Sequence, residues 1–99
     1  MKPLRKRNGK LYTEARVKIN GTYESFEVLI DTGREKTVFN KKMVPEETLD
    51  AMSIGPLKVS EFTTELQDME EEGIIGVDFL LKTGAKLNLD AMTISSSRT

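Results

Sequence analysis

The chain has 99 residues, 37% hydrophobic and 6% aromatic with no Trp, enough for one small domain with a modest core of its own, so association is a natural way to bury more surface. Lys+Arg 15 against Asp+Glu 16 leaves a net charge of −1, a balance that argues against a dedicated nucleic-acid binder. Zero His and zero Cys exclude thiol and imidazole chemistry, a disulfide framework and a Ser-His-Asp triad, so any general acid or base is a carboxylate, Lys or Tyr.

The first residues are basic, with Lys2, Arg5, Lys6, Arg7 and Lys10, and residues 1–9 read as a flexible, solvated arm. Lys10 to Ile19 alternates, with Leu11, Thr13, Ala15, Val17 and Ile19 on one face and Tyr12, Glu14, Arg16 and Lys18 on the other, which predicts a half-buried antiparallel strand. Asn20-Gly21 is a hairpin signal, because a type I′ turn needs positive φ at both central residues. The chain then returns through Tyr23 to Ile30. Phe26, Val28, Leu29 and Ile30 form an apolar run that leads straight into Asp31-Thr32-Gly33, a composition for a sharp turn. A carboxyl at the end of a buried strand is costly unless it is hydrogen-bonded or paired, which makes Asp31 the first candidate for chemistry. A plain strand-terminal Asx-turn is the ordinary alternative.

Thr37-Val38-Phe39 is a short β-prone run. Pro45-Glu46-Glu47 suits the first turn of a helix, with Leu49 and Met52 three apart on one face. Ile54-Gly55-Pro56 is a turn, Leu57 to Leu66 a strand or bent hairpin, and Gln67 to Glu72 an acidic loop. Val77 to Thr83 reads as a short helix that Gly84 ends, and Leu87-Asn88-Leu89 and Met92-Thr93-Ile94 read as two short strands. Residues 95–99 are expected to fray. No apolar run approaches the ~18 residues of a membrane span, and no signal-peptide core follows the basic start, so a cytoplasmic location is the default expectation. The expected fold is a single mostly-β domain over 1–99, a small closed β-barrel or sandwich with one or two short helices.

Asp31-Thr32-Gly33 lies 45 residues before Gly76, which closes Ile74-Ile75-Gly76 ahead of the short helix. With the apolar strand before Asp31, Thr37-Val38 after it, and the run Ile74 to Leu80, the chain resembles the retropepsins. These are the single-domain aspartic proteases of retroviruses and their bacterial and archaeal relatives. The resemblance covers Lys10 to Ile94 and implies a β-barrel homodimer in which each subunit supplies one catalytic Asp31. Two carboxyls a few ångströms apart cannot both ionise cheaply, so they share a proton. One then acts as base on a water, while the other polarises the scissile carbonyl and later protonates the amine. By the same resemblance Thr32 and Gly33 support Asp31: Thr32 braces the turns across the interface and Gly33 lets backbone approach the reacting groups. Arg34, Ile74, Ile75 and Gly76 are then the substrate-binding residues. The implied partners are a peptide or protein substrate and a second copy of the chain, with no cofactor, metal, nucleic acid or membrane.

Two departures stand out. The family normally has Ala or Ser where this chain has Arg34, a cation that could pair with Glu35, favour an acidic peptide side chain, occlude the cleft or turn to solvent. Retropepsins also close a glycine-tipped hairpin, the flap, over the substrate, and here only Asn40 to Pro56 precede the strand at Leu57. Ser53 to Pro56 is either a stub of the flap tip or a turn beyond a largely missing flap. The second is favoured, because Ile54 to Val59, the acidic loop and Ile74-Ile75-Gly76 follow the order of the family's last strands. Two functions remain open: an aspartic endopeptidase, and a catalytically weak or silent module for dimerisation or peptide binding.

Overall fold

The computed structural model describes residues 1–98 and opens with two short strands, β1 (Lys2–Pro3) and β2 (Arg5–Arg7). They lead into β3 (Lys10–Ile19) and β4 (Thr22–Ile30), the long hairpin that the alternating pattern predicts. Asn20 and Gly21 take φ of 50° and 81°, the two positive values that their turn requires. The Gly21 N–H also donates to the Asp50 carboxylate at 3.0 Å. β3 buries Ala15, Val17 and Ile19 and exposes Glu14 and Arg16, so the turn half of the hairpin has one core and one wet face; at its other end Tyr12, expected on the polar face, is buried opposite Leu29.

Beyond Asp31 follow β5 (Val38–Asn40), β6 (Thr48–Ile54), β7 (Leu57–Thr63), β8 (Glu65–Gln67) and β9 (Gly73–Ile75). The short helix α1 (Val77–Thr83) then precedes β10 (Ala85–Asn88) and β11 (Thr93–Ser96). The large sheet runs in the order β7-β6-β3-β4-β9-β5-β8, with β2 on β3, and curls into a half barrel; β1-β11-β10 form a second, smaller sheet. Phe39 and Phe79 are fully buried within the core, each meeting a second ring edge-on: Phe26 at 5.8 Å and Phe62 at 5.9 Å. Gly84 ends α1 in the left-handed region at φ 65°, its N–H returning to the carbonyls of Leu80 and Leu81. Among the described residues no helix is long and apolar enough to cross a membrane.

The structure differs from the sequence reading in two places. Pro45-Glu46-Glu47, expected to begin a second helix, lies in the connection before β6, and Leu49 and Met52 belong to that strand, which pairs with both β3 and β7. The three-residue spacing of Leu49 and Met52 comes from a break in the ladder, not a helical turn. Leu49↔Phe62 and Met52↔Val59 are both buried pairs, but Glu61 between them takes φ 48°, and the inward-facing set shifts by one residue across it. Long-range pairing thus overrides the local signal.

The termini are the second difference. Lys2 and Pro3 pair with Ile94 and Thr93, and Arg5–Arg7 pair along β3 with Leu4 buried between them, so most of the arm expected to be flexible over residues 1–9 is bound into sheets. The basic residues meet acids: Lys2–Glu14 at 2.6 Å, Arg5–Glu27 at 2.6 Å and Arg7–Glu27 at 2.7 Å. The Lys2 hydrogen bond holds the Glu14 carboxyl below its ordinary range. Arg7 also lies 4.2 Å over the Tyr12 ring, whose hydroxyl donates to Glu71 at 2.6 Å, so arm and acidic loop close on one another. At the other end the Arg98 guanidinium donates to the Lys82 carbonyl at 2.8 Å, where the helix leaves acceptors unpaired. Thr99 lies outside the described residues.

The β6–β7 hairpin is a wall of the barrel. It carries Leu49, Met52, Ile54 and Leu57 into the core, and its Gly55 tip packs on Lys2, whose Cβ is 3.0 Å from where a Gly55 Cβ would be. Only residues 41–47 join β5 to β6, so Ser53 to Pro56 is the turn of a core hairpin and not the tip of a free flap.

Candidate active site

β4 and β9 run parallel and in register, with Leu29 beside Ile74 and Ile30 beside Ile75. The Asp31 N–H extends that ladder by donating to the Ile75 carbonyl at 3.0 Å. Beyond this point the chain turns sharply. The Gly33 N–H donates to Asp31 Oδ1 at 2.9 Å and the Arg34 N–H to the Asp31 carbonyl at 3.2 Å. Asp31 is therefore both a strand-terminal Asx-turn and a half-buried carboxyl at the barrel surface; the two readings of the sequence describe one geometry. Its Oδ2 accepts no hydrogen bond among the described residues, and Thr32 and Gly33 beside it are exposed.

The apolar-apolar-glycine partner divides its roles by strand alternation. Ile74 is half-buried, whereas Ile75 on the opposite face is fully buried in the core, so Ile75 is packing and not accessible wall in this chain. Gly76 is needed for close approach. A Cβ there would meet the Arg34 carbonyl oxygen and the Lys36 carbonyl carbon at 2.8 Å, and the Glu35 carbonyl oxygen at 3.0 Å. Arg34 is not a free cation facing the cleft and does not pair with Glu35; its Nε donates to the Lys36 carbonyl at 2.8 Å and its Nη2 to Glu65 at 3.1 Å.

Two residues to which the sequence reading gave no role at the site, Thr37 and Asp78, hold this loop in place. Thr37 is fully buried, and its N–H donates to both oxygens of Asp78 at 3.1 Å. Its hydroxyl donates to Asp78 Oδ1 at 2.7 Å and accepts the Gly76 N–H at 3.0 Å. Asp78 lies in the first turn of α1, where a carboxylate also suits the helix dipole, and accepts the Phe79 N–H at 2.7 Å. The N–H groups of Val77 and Asp78 donate back to the carbonyls of Arg34 and Glu35 at 2.8 and 3.1 Å. The signal in the sequence was an acid just inside a predicted helix start and a β-branched hydroxyl residue soon after the turn. Asp78→Ala is expected to strip partners from the buried Thr37 and cost about 2 kcal/mol, read as a lower urea midpoint, with Asp78→Asn losing less because it keeps one acceptor.

A charged groove of about 380 Å³, lined by Lys2, Arg5, Glu14, Glu27 and Glu72 among others, belongs to the β1–β2 side and includes no residue of the Asp31 loop.

This architecture is the retropepsin fold. The chain is similar to the retroviral protease-like domain of Ddi1 from Leishmania major, with TM-score 0.68 and 14% identity over 89% of this chain and 87% of that one. It is similar also to a retropepsin-like aspartic protease from Rickettsia conorii, with TM-score 0.68 and 18% identity over 91% of this chain and 84% of that one. No family model matches the chain, and no curated protein matches its sequence.

Proposed function

We propose that this chain is an aspartic endopeptidase of retropepsin type, active as a homodimer with one Asp31 from each subunit. The observation that carries the reading is the placement of Asp31. It directly follows β4, is tied by its N–H to the Ile75 carbonyl of the parallel strand β9, and leaves one carboxylate oxygen unpartnered among the described residues of a retropepsin fold. A single carboxyl cannot be base and acid at once, and the chain offers no His or Cys to help it. Two copies across a two-fold axis supply both roles. One Asp31 takes a proton from water as it attacks the scissile carbonyl; the other, protonated, donates to the carbonyl oxygen and then to the departing amine. Thr32 braces the paired turns, Gly33 admits close backbone approach, and Ile74 supplies apolar wall for an extended peptide that adds a strand.

The test is a cleavage screen of unstructured peptides from acidic to neutral pH, with and without a statine-containing peptide that mimics the tetrahedral intermediate. Cleavage that the statine peptide blocks supports the endopeptidase. A dimer that binds peptides without cutting them at any pH supports the silent module, a reading favoured by one feature, the absence of a free hairpin between β5 and β6 to exclude water from the cleft.

A further inference from the structure

Arg34, one residue beyond the Asp31 turn, has both of its backbone polar groups engaged. Its N–H donates to the Asp31 carbonyl at 3.2 Å, and its carbonyl accepts the Val77 N–H at 2.8 Å. The side chain folds back over the loop, Nε reaching the Lys36 carbonyl at 2.8 Å and Nη2 reaching Glu65 Oε1 at 3.1 Å. The main chain of Glu65 is held at the start of β8, its N–H donating to the Thr37 carbonyl at 3.0 Å. The bonds close a ring of Arg34, Glu65, Thr37 and Lys36, which the Arg34 N–H ties to the Asp31 carbonyl.

A planar guanidinium can hold two acceptors at a set angle, which a lysine ammonium on a flexible stem cannot. The pair is partly exposed, with side-chain exposures of 31% for Arg34 and 56% for Glu65, so it adds little to the stability of the whole domain. Its effect is local. Thr32, Gly33, Glu35 and Lys36 are all exposed, and the Arg34 side chain ties their loop directly to β8.

We infer that Arg34 is a positioning residue: anchored on Lys36 and Glu65, it holds in place the turn whose Gly33 and Arg34 N–H groups orient Asp31. The inference rests on Asp31 being the catalytic carboxyl. It makes the Arg34 side chain a brace behind the cleft rather than a receptor for an acidic substrate group, and it places the effect of Arg34 on turnover rather than on peptide affinity.

The experiment compares the full chain with Arg34→Ala, Arg34→Lys and Glu65→Gln, using Asp31→Asn as the inactive reference. It reads kcat and KM on a cleavable peptide, and amide hydrogen exchange at Gly33 and Arg34. Arg34→Ala is expected to lower kcat by about tenfold or more at unchanged KM, since small displacements of a reacting group are costly. Arg34→Lys should fall with it, because charge without the two-point hold does not restore the geometry, while Glu65→Gln keeps an acceptor and stays nearer the parent. Exchange at Gly33 and Arg34 should rise in Arg34→Ala, with the distant Asn20-Gly21 turn unchanged. Unaltered exchange in Arg34→Ala overturns the inference, as does a loss confined to KM that Arg34→Lys repairs. If the parent shows no Asp31-dependent cleavage, the protease reading falls on its own, and the exchange data still decide whether Arg34 holds the loop.

Discussion

Asp31→Asn is expected to lower peptide cleavage by roughly 10³-fold or more and to leave the fold in place, since it removes both the base and the acid of the proposed mechanism at once. The fold should persist because Asn can still accept the Gly33 N–H that shapes the turn, and because the backbone bonds of Asp31 to Ile75 and Arg34 do not involve the side chain. Circular dichroism and the urea midpoint would therefore stay near those of the parent while cleavage disappears. The same variant reports on the assembly. When it is mixed with parent chain under exchange, activity should fall with the square of the parent fraction if each site needs two Asp31 carboxyls. A linear fall would mean that one subunit works alone. Cleavage that survives the substitution would remove Asp31 from the mechanism altogether.

Gly76→Ala should damage stability and site together. The added methyl would sit 2.8 Å from the Arg34 carbonyl oxygen and the Lys36 carbonyl carbon, and these are backbone atoms that no rotamer change can move aside. Relief requires the 34–36 loop to slide off α1. That motion strains the Val77 N–H bond to Arg34 and the Gly76 N–H bond to the Thr37 hydroxyl. Overpacking of this kind costs about 1–3 kcal/mol, read as a lower urea midpoint at unchanged slope. Cleavage should fall further than that loss of folded protein explains, because the displaced loop begins at Asp31. A variant with parental stability and parental cleavage would mean that the loop has room that the packing denies.

Much of this molecule follows from local patterns. The period-two alternation of Lys10 to Ile19, the Asn20-Gly21 turn, the run into Asp31-Thr32-Gly33, and the helix that Gly84 ends are each set by neighbours in sequence. The β-rich class was legible because it rests on those signals, whereas the pairing of Asp31 with Ile74-Ile75-Gly76 was expected only through the resemblance to the retropepsins. The features that were not legible depend on contacts between distant segments. Residues 45–47 carry a helix-like start, yet β3 and β7 claim the residues from Thr48 onward for the sheet. The basic start and the acidic loop look like two solvated charge runs until β2 and the loop meet around Tyr12 and Glu27.

The site divides along the same line. Composition by itself limited a general acid or base to a carboxylate, Lys or Tyr, since neither His nor Cys is present, and the strand-to-turn pattern singled out Asp31. That Ile75 turns inward, that Arg34 is held by Glu65 and Lys36, and that Thr37 and Asp78 clasp the loop to α1 are outcomes of tertiary packing. Sequence patterns specify what a segment can bury or expose. Which partner a buried hydroxyl or a long cation reaches depends on chain brought in from thirty or more residues away, as for Arg34 and Glu65 with |i−j|=31, and only the folded chain brings those groups within bonding distance.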